Sequence, residues 1–176
     1  MYPFRVVCSM IGIRAVNRWE LIYYLLLILF LVTFAVYDMQ HKRVPDLALA
    51  YFLPFALLSL PVNLMAEGES SLPPWLMPAL GILFGGGTLL FEAIVTNGRI
   101  GGGDIKLTAM LGIVYGPYNI LLALFFAALL AILFDPLEKR RTGNRVFSSP
   151  FVPFLAIGCC VVTILKFITI EGEKLI

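Results

Sequence analysis

Apolar residues in this chain neither alternate, as in a half-buried strand, nor recur on one face of a helix. They run in long blocks separated by short polar breaks. A helix needs about 20 apolar residues to cross about 30 Å of hydrocarbon. Residues 21–37, 47–65, 75–95, 118–134 and 151–170 meet that requirement or come close to it. Residues 105–115 form a shorter block, about 16 Å long as a helix, too short to cross alone and ended by Gly116-Pro117. The pattern predicts an all-α, polytopic integral membrane protein of about six transmembrane helices, the fourth of them short. Pro54 and Pro61 fall inside the second block and are tolerable where neighbouring helices satisfy the freed carbonyls. Asp135-Pro136 is expected to stop the fifth helix, and Glu138 to Arg145 to form a charged loop. The first block is too long for a signal-peptide core and no small-residue cleavage site follows it, so it is read as a retained span. Ahead of it, residues 1–18 carry Arg5, Arg14 and Arg18 among apolar residues and suit an interfacial segment. Residues 19–176 then form one membrane-embedded domain.

Composition narrows the class further. Of the 176 residues 60% are hydrophobic and 14% charged, and the mean hydropathy is +0.94. A soluble domain is about 25% charged, and a disordered chain would be poorer still in apolar residues. A net charge of +2, scattered between the blocks, gives no reason to expect a nucleic-acid partner. Cys8, Cys159 and Cys160 contain no C-x-x-C pair, so they read as small hydrophobes rather than metal ligands or a disulfide framework. Lys42, Arg43, Arg99, Lys139, Arg140, Arg141 and Arg145 fall in alternate loops, which favours an outside N-terminus and a cytoplasmic location for those loops. The three N-terminal arginines argue the other way.

Two carboxylates stand at span boundaries, where an ionisable group is costly and is a functional candidate by default. Asp38 ends the first block and Asp104 precedes the fourth, with two crossings between them, so both belong to one face of the membrane. Taken singly, Asp38 could snorkel to the interface and Asp104 could cap a helix. Two carboxylates within reach of each other in a partly dry site cannot both ionise. The charged one can take a proton from water while the neutral one protonates a carbonyl or a leaving amine. That is the apparatus of an aspartic protease and needs no metal or other cofactor. His41, the only histidine, lies in a basic loop without a nucleophile motif. Gly101-Gly102-Gly103 clears side chains from the approach to Asp104, so that a peptide could lie extended along that backbone. A turn or a close helix contact would explain the glycines equally well.

These residues also carry a resemblance. Asp38-Met-Gln-His-Lys-Arg-Val-Pro45 resembles the first-aspartate motif of the prepilin peptidases. Gly101-Gly102-Gly103-Asp104-Ile105-Lys106-Leu107, followed by Leu111-Gly112 and Tyr115-Gly116, resembles their G-x-G-D-x-K-L motif and the helix after it. The stretch from Pro150 to Gly158 is similar to the proline-rich opening of their last helix. The resemblance covers most of residues 20–170 and implies an intramembrane aspartic endopeptidase. Such an enzyme removes leader peptides from type IV prepilin-like proteins at the cytoplasmic face, in the service of pili or protein secretion. Asp38 and Asp104 would be its catalytic pair. Gly101, Gly102, Gly103 and Lys106 would meet the substrate, and Glu92, Asp135 or Glu138 would attract a basic leader. Asp46 replaces the Asn usual after the apolar-Pro pair and is expected to cap the second helix equally well. The chain lacks the cysteine-paired insert of the two-domain members, so a short form that cleaves without methylating is expected. The competing reading is a small proton- or ion-coupled transporter using the same carboxylates. Against it, the two halves show no echo of each other, a common feature of such transporters.

Overall fold

The computed structural model describes residues 18–41, 44–61, 73, 75–96, 100–142 and 151–173, with side-chain surroundings for 20–41, 44–61, 73, 75–96, 100–134 and 151–168 of these. Residues 1–17 of the expected interfacial segment 1–18 lie outside the described residues, as do most of residues 66–74 and residues 143–145 of the charged loop, whereas Arg18 already opens the first helix. Among the described residues six helical segments follow one another: α1 (Arg18–His41), α2 (Asp46–Leu57), α3 (Leu76–Val95), α4 (residues 102–115), α5 (residues 117–142) and α6 (Val152–Glu173). Glu20–His41, Leu76–Val95 and the combined Gly102–Phe134 are long and apolar enough to cross a membrane, and Asp46–Pro61 and Val152–Ile168 are shorter apolar helices. The chain is an all-α polytopic membrane protein with a short fourth helix.

In α1 nearly every side chain is apolar, yet only one stripe is covered. Tyr24, Leu27, Leu31, Phe34 and Asp38 recur at helical spacing and are buried, whereas Leu25, Leu29, Val32 and Val36 face outward. Phe52 of α2 is fully buried against Phe34 at 5.7 Å and Phe30 at 5.8 Å, and Phe55 stacks on Tyr23 at 4.8 Å. Offset and edge-on ring pairs of this kind add about 0.5–1.5 kcal/mol each beyond burial. α2 is followed by a turn residue, Leu58, whose N–H still bonds the Pro54 carbonyl four residues back at 3.0 Å, and helix continues through 59–61. The expected remainder of the second span, 62–65, lies outside the described residues. Pro54 sits inside α2, where its missing N–H costs one bond to the turn before it.

The α3–α4 contact is made by backbones. A Cβ on Gly81 would fall on the Gly112 carbonyl, one on Gly85 would lie 2.7 Å from the Thr108 oxygen, and one on Gly86 would lie 2.9 Å from Ala109 Cβ. Small residues four apart permit this approach where lipid offers no hydrophobic drive. The pairing also fixes an antiparallel register. Chain direction reverses after α4 because Gly116 adopts φ 72 and ψ 177, a conformation open to glycine, and Pro117 then starts α5 in the first-turn position that suits it. Ile120 is thereby returned beside Thr108 at Gly85, and Phe134 reaches Phe154 of α6.

Asp135-Pro136 does not stop the fifth helix, which continues to Thr142. Residues 137–141 are mostly strong helix formers, and one missing N–H does not overcome that preference. The first helix likewise extends beyond its predicted end, so that Asp38 is inside its last turns rather than after them.

Candidate active site

Asp38 is held from the far end of the sequence. It points along the buried stripe of α1, is only 4% exposed, and its Oδ2 accepts the Val152 N–H at 3.2 Å. The Phe151 N–H also bonds to the carboxylate. Both donors belong to the opening of α6, where the first N–H groups have no partner inside the helix. The aspartate of α1 thus caps α6, and the positive end of the α6 dipole faces a negative group. Pro153, in the same turn, has no N–H to satisfy.

Asp104 occupies the third position of α4. Its N–H donates to the Gly101 carbonyl at 3.1 Å, while its carboxylate accepts the Gly101 N–H. This reciprocal arrangement is a capping box with the acid as the returning partner. Asp104 is therefore not the N-cap itself, and the helix begins three residues earlier than the hydropathy indicated. Gly102 and Gly103 are the first two residues of α4, so the backbone beside which an extended peptide was expected is helical from Gly102 onward. Gly103 has a tighter reason to be glycine: its Cβ would lie 2.9 Å from both the Cβ and the carbonyl oxygen of Val44. A Cβ on Gly102 would meet nothing within 4 Å. The open side of Asp104 is therefore at Gly101 and Gly102.

The charge of Asp38 acts on the Asp104 carboxylate. The two acids, far apart in the sequence and carried by α1 and α4, come within electrostatic reach of each other.

Other expected site residues are placed differently. The Lys106 ammonium is bonded to Asp46 Oδ1 at 2.7 Å. Asp46 caps nothing: Pro45 is the N-cap of α2, without a side-chain cap bond, and Asp46 is the first helical residue. Glu92 is exposed in the last turn of α3. The α3–α4 register carried past Gly85 and Thr108 sets it at the level of Gly101. The side chains of Asp135 and Glu138 lie outside the described residues. Among the described residues no three of His, Cys, Asp or Glu gather as metal ligands would. Sequence reasoning missed the Asp46–Lys106 pair and the cap that α6 provides for Asp38. A signal for the first was present, since a neutral Asn position had become acidic opposite a motif lysine. Nothing local signals the second.

Comparison with known proteins decides the family. Residues 25–135, which include both aspartates, match the model of the type IV leader peptidase family. The chain belongs to that family. It is 34% identical over 154 residues to a prepilin leader peptidase/N-methyltransferase of Bacillus subtilis, covering 84% of this chain and 57% of the relative. A protein of the same description from Pseudomonas aeruginosa is 30% identical over 149 residues, or 80% of this chain and 48% of the relative. One from Stutzerimonas stutzeri is 31% identical over 147 residues, with 80% and 48% covered. The chain thus spans about half the length of the curated relatives it matches. No solved structure matches it significantly.

Proposed function

We propose that this member of the type IV leader peptidase family is an intramembrane aspartic endopeptidase. It cuts leader peptides from type IV prepilin-like proteins at the cytoplasmic face of the cell membrane. What supports the reading is that Asp38 lies within electrostatic reach of Asp104 and that each is bonded by backbone N–H at a helix start. Tethered in this way, the carboxylates keep their positions while a proton passes between them and a water. One acid deprotonates the water as it attacks the scissile carbonyl while the other protonates the carbonyl oxygen; the first then gives the proton taken from water to the leaving amine as the C–N bond breaks, and a gem-diol hydroxyl returns its proton to the second. Gly101 and Gly102 leave room for the peptide beside Asp104. The cytoplasmic assignment rests on the basic residues Lys42, Arg43 and Arg99 in the two connections that flank the aspartates.

The test is co-expression with a type IV prepilin and detection of the shorter product in membranes. Asp38→Asn and Asp104→Asn keep the shape of each side chain but remove its acid–base capacity. Each is expected to lower the cleavage rate by about 10²-fold or more while the protein stays in the membrane. Near-normal cleavage by either variant would falsify the dyad.

A further inference from the structure

Lys106 and Asp46 lie outside the acid pair yet join the two halves of the bundle that carry it. α1 and α2 form one half, locked by Phe30, Phe34, Phe52, Phe55 and Tyr23. α3 and α4 form the other, locked by the glycine contacts. Asp38 belongs to the first half and Asp104 to the second. Between the halves, at the level of the acids, two contacts appear on one face of α4. Val44 closes over Gly103, and one turn further along Lys106 reaches Asp46 at 2.7 Å. Positions three apart share a helix face. Lys106 is two positions from Asp104 and so is turned to the opposite side of α4 from it. The N-cap residue Pro45 makes no side-chain cap bond, and the side-chain partner at the start of α2 is Lys106 of α4.

We infer that Lys106 and Asp46 are positioning residues, a latch that holds α2 against α4 and thereby sets the separation of Asp38 and Asp104. The inference rests on the proposed dyad and assigns Lys106 to alignment rather than to substrate contact. Both side chains are mostly exposed, at 58% and 76%. An exposed pair of this kind contributes little to stability. Its effect on rate is larger, because a misplacement of about 1 Å in a catalytic group costs up to about 10²-fold.

The experiment measures cleavage of a type IV prepilin by purified protein in detergent, with Asp38→Asn as the control. Lys106→Ala and Asp46→Ala are each expected to lower kcat about tenfold with KM unchanged. The double variant is expected to be no worse than either single one. Lys106→Arg, Asp46→Asn and the exchanged pair Lys106→Asp with Asp46→Lys are expected to recover most of the loss. The melting temperature of each single variant is expected to shift by less than about 4 °C. A raised KM at constant kcat would make Lys106 a substrate contact and overturn the latch. So would losses that multiply in the double variant, failure of the exchanged pair, or unfolding of the single variants. Normal cleavage by Lys106→Ala beside an inactive Asp38→Asn removes the latch alone. Normal cleavage by Asp38→Asn removes the peptidase reading beneath it.

Discussion

The adjacent glycines Gly102 and Gly103 offer the sharpest comparison, because they share a helix turn and differ in surroundings. Alanine at either position gains up to about 1 kcal/mol of helix propensity over glycine. At Gly102 the new methyl meets nothing within 4 Å, so Gly102→Ala is expected to be neutral or slightly stabilising. At Gly103 it would lie 2.9 Å from two atoms of Val44, both well inside ordinary contact and one of them backbone. Relieving that overlap requires the 44–46 segment to move outward by roughly half an ångström, and overpacking of this kind costs about 1–3 kcal/mol. The net effect on stability is a loss of up to about 2 kcal/mol, or about 4–8 °C in melting temperature for a domain of this size. The greater consequence is for alignment, since the displaced segment follows the helix that bears Asp38 and packs on the helix that bears Asp104. Gly103→Ala is therefore expected to lower kcat by about 10-fold or more, within the range misplacement can produce. Prepilin cleavage and thermal unfolding in detergent, run on both variants, separate the effects. A Gly103→Ala variant as stable as Gly102→Ala and as active as the unaltered protein would refute the packing argument.

Further tests follow from the same geometry. Gly81→Leu and Gly112→Leu place a side chain in the backbone contact between α3 and α4, and each is expected to lower the melting temperature and to reduce cleavage. Gly116→Ala keeps the space but not the conformation, since φ 72 with ψ 177 costs any other residue about 1–3 kcal/mol; a lower melting temperature checks this. Glu92→Lys is expected to reduce kcat/KM for a basic leader and to leave a neutral leader unaffected, measured side by side at low salt. Equal values for both leaders would remove Glu92 from leader recognition.

The blocks of apolar residues were enough to place and order the helices, since a bilayer demands length and hydropathy. Their ends were less legible. Asp38 and Asp104 look like boundary residues in a hydropathy reading, yet both are helical. Backbone donors of Val152, Phe151 and Gly101 bond to their carboxylates and offset part of the cost of their position. Asp135-Pro136 looked like a stop and is not one, because a proline removes a single hydrogen bond from a segment otherwise rich in helix formers.

The sequence by itself determined the membrane class and the order of the helices, and it singled out two acids for which the parity of two crossings predicts a common face. It could not say which side of each helix is inside. In a soluble helix that side is marked by hydrophobicity. Here lipid-facing Leu29 and buried Leu27 are the same residue type, so the contrast vanishes. Only the tertiary structure decided that Asp38 shares a stripe with Leu27 and Leu31, and that the start of α6 closes on it. It also decided that Lys106 belongs to Asp46. These outcomes depend on contacts between segments distant in the chain, which no local pattern encodes.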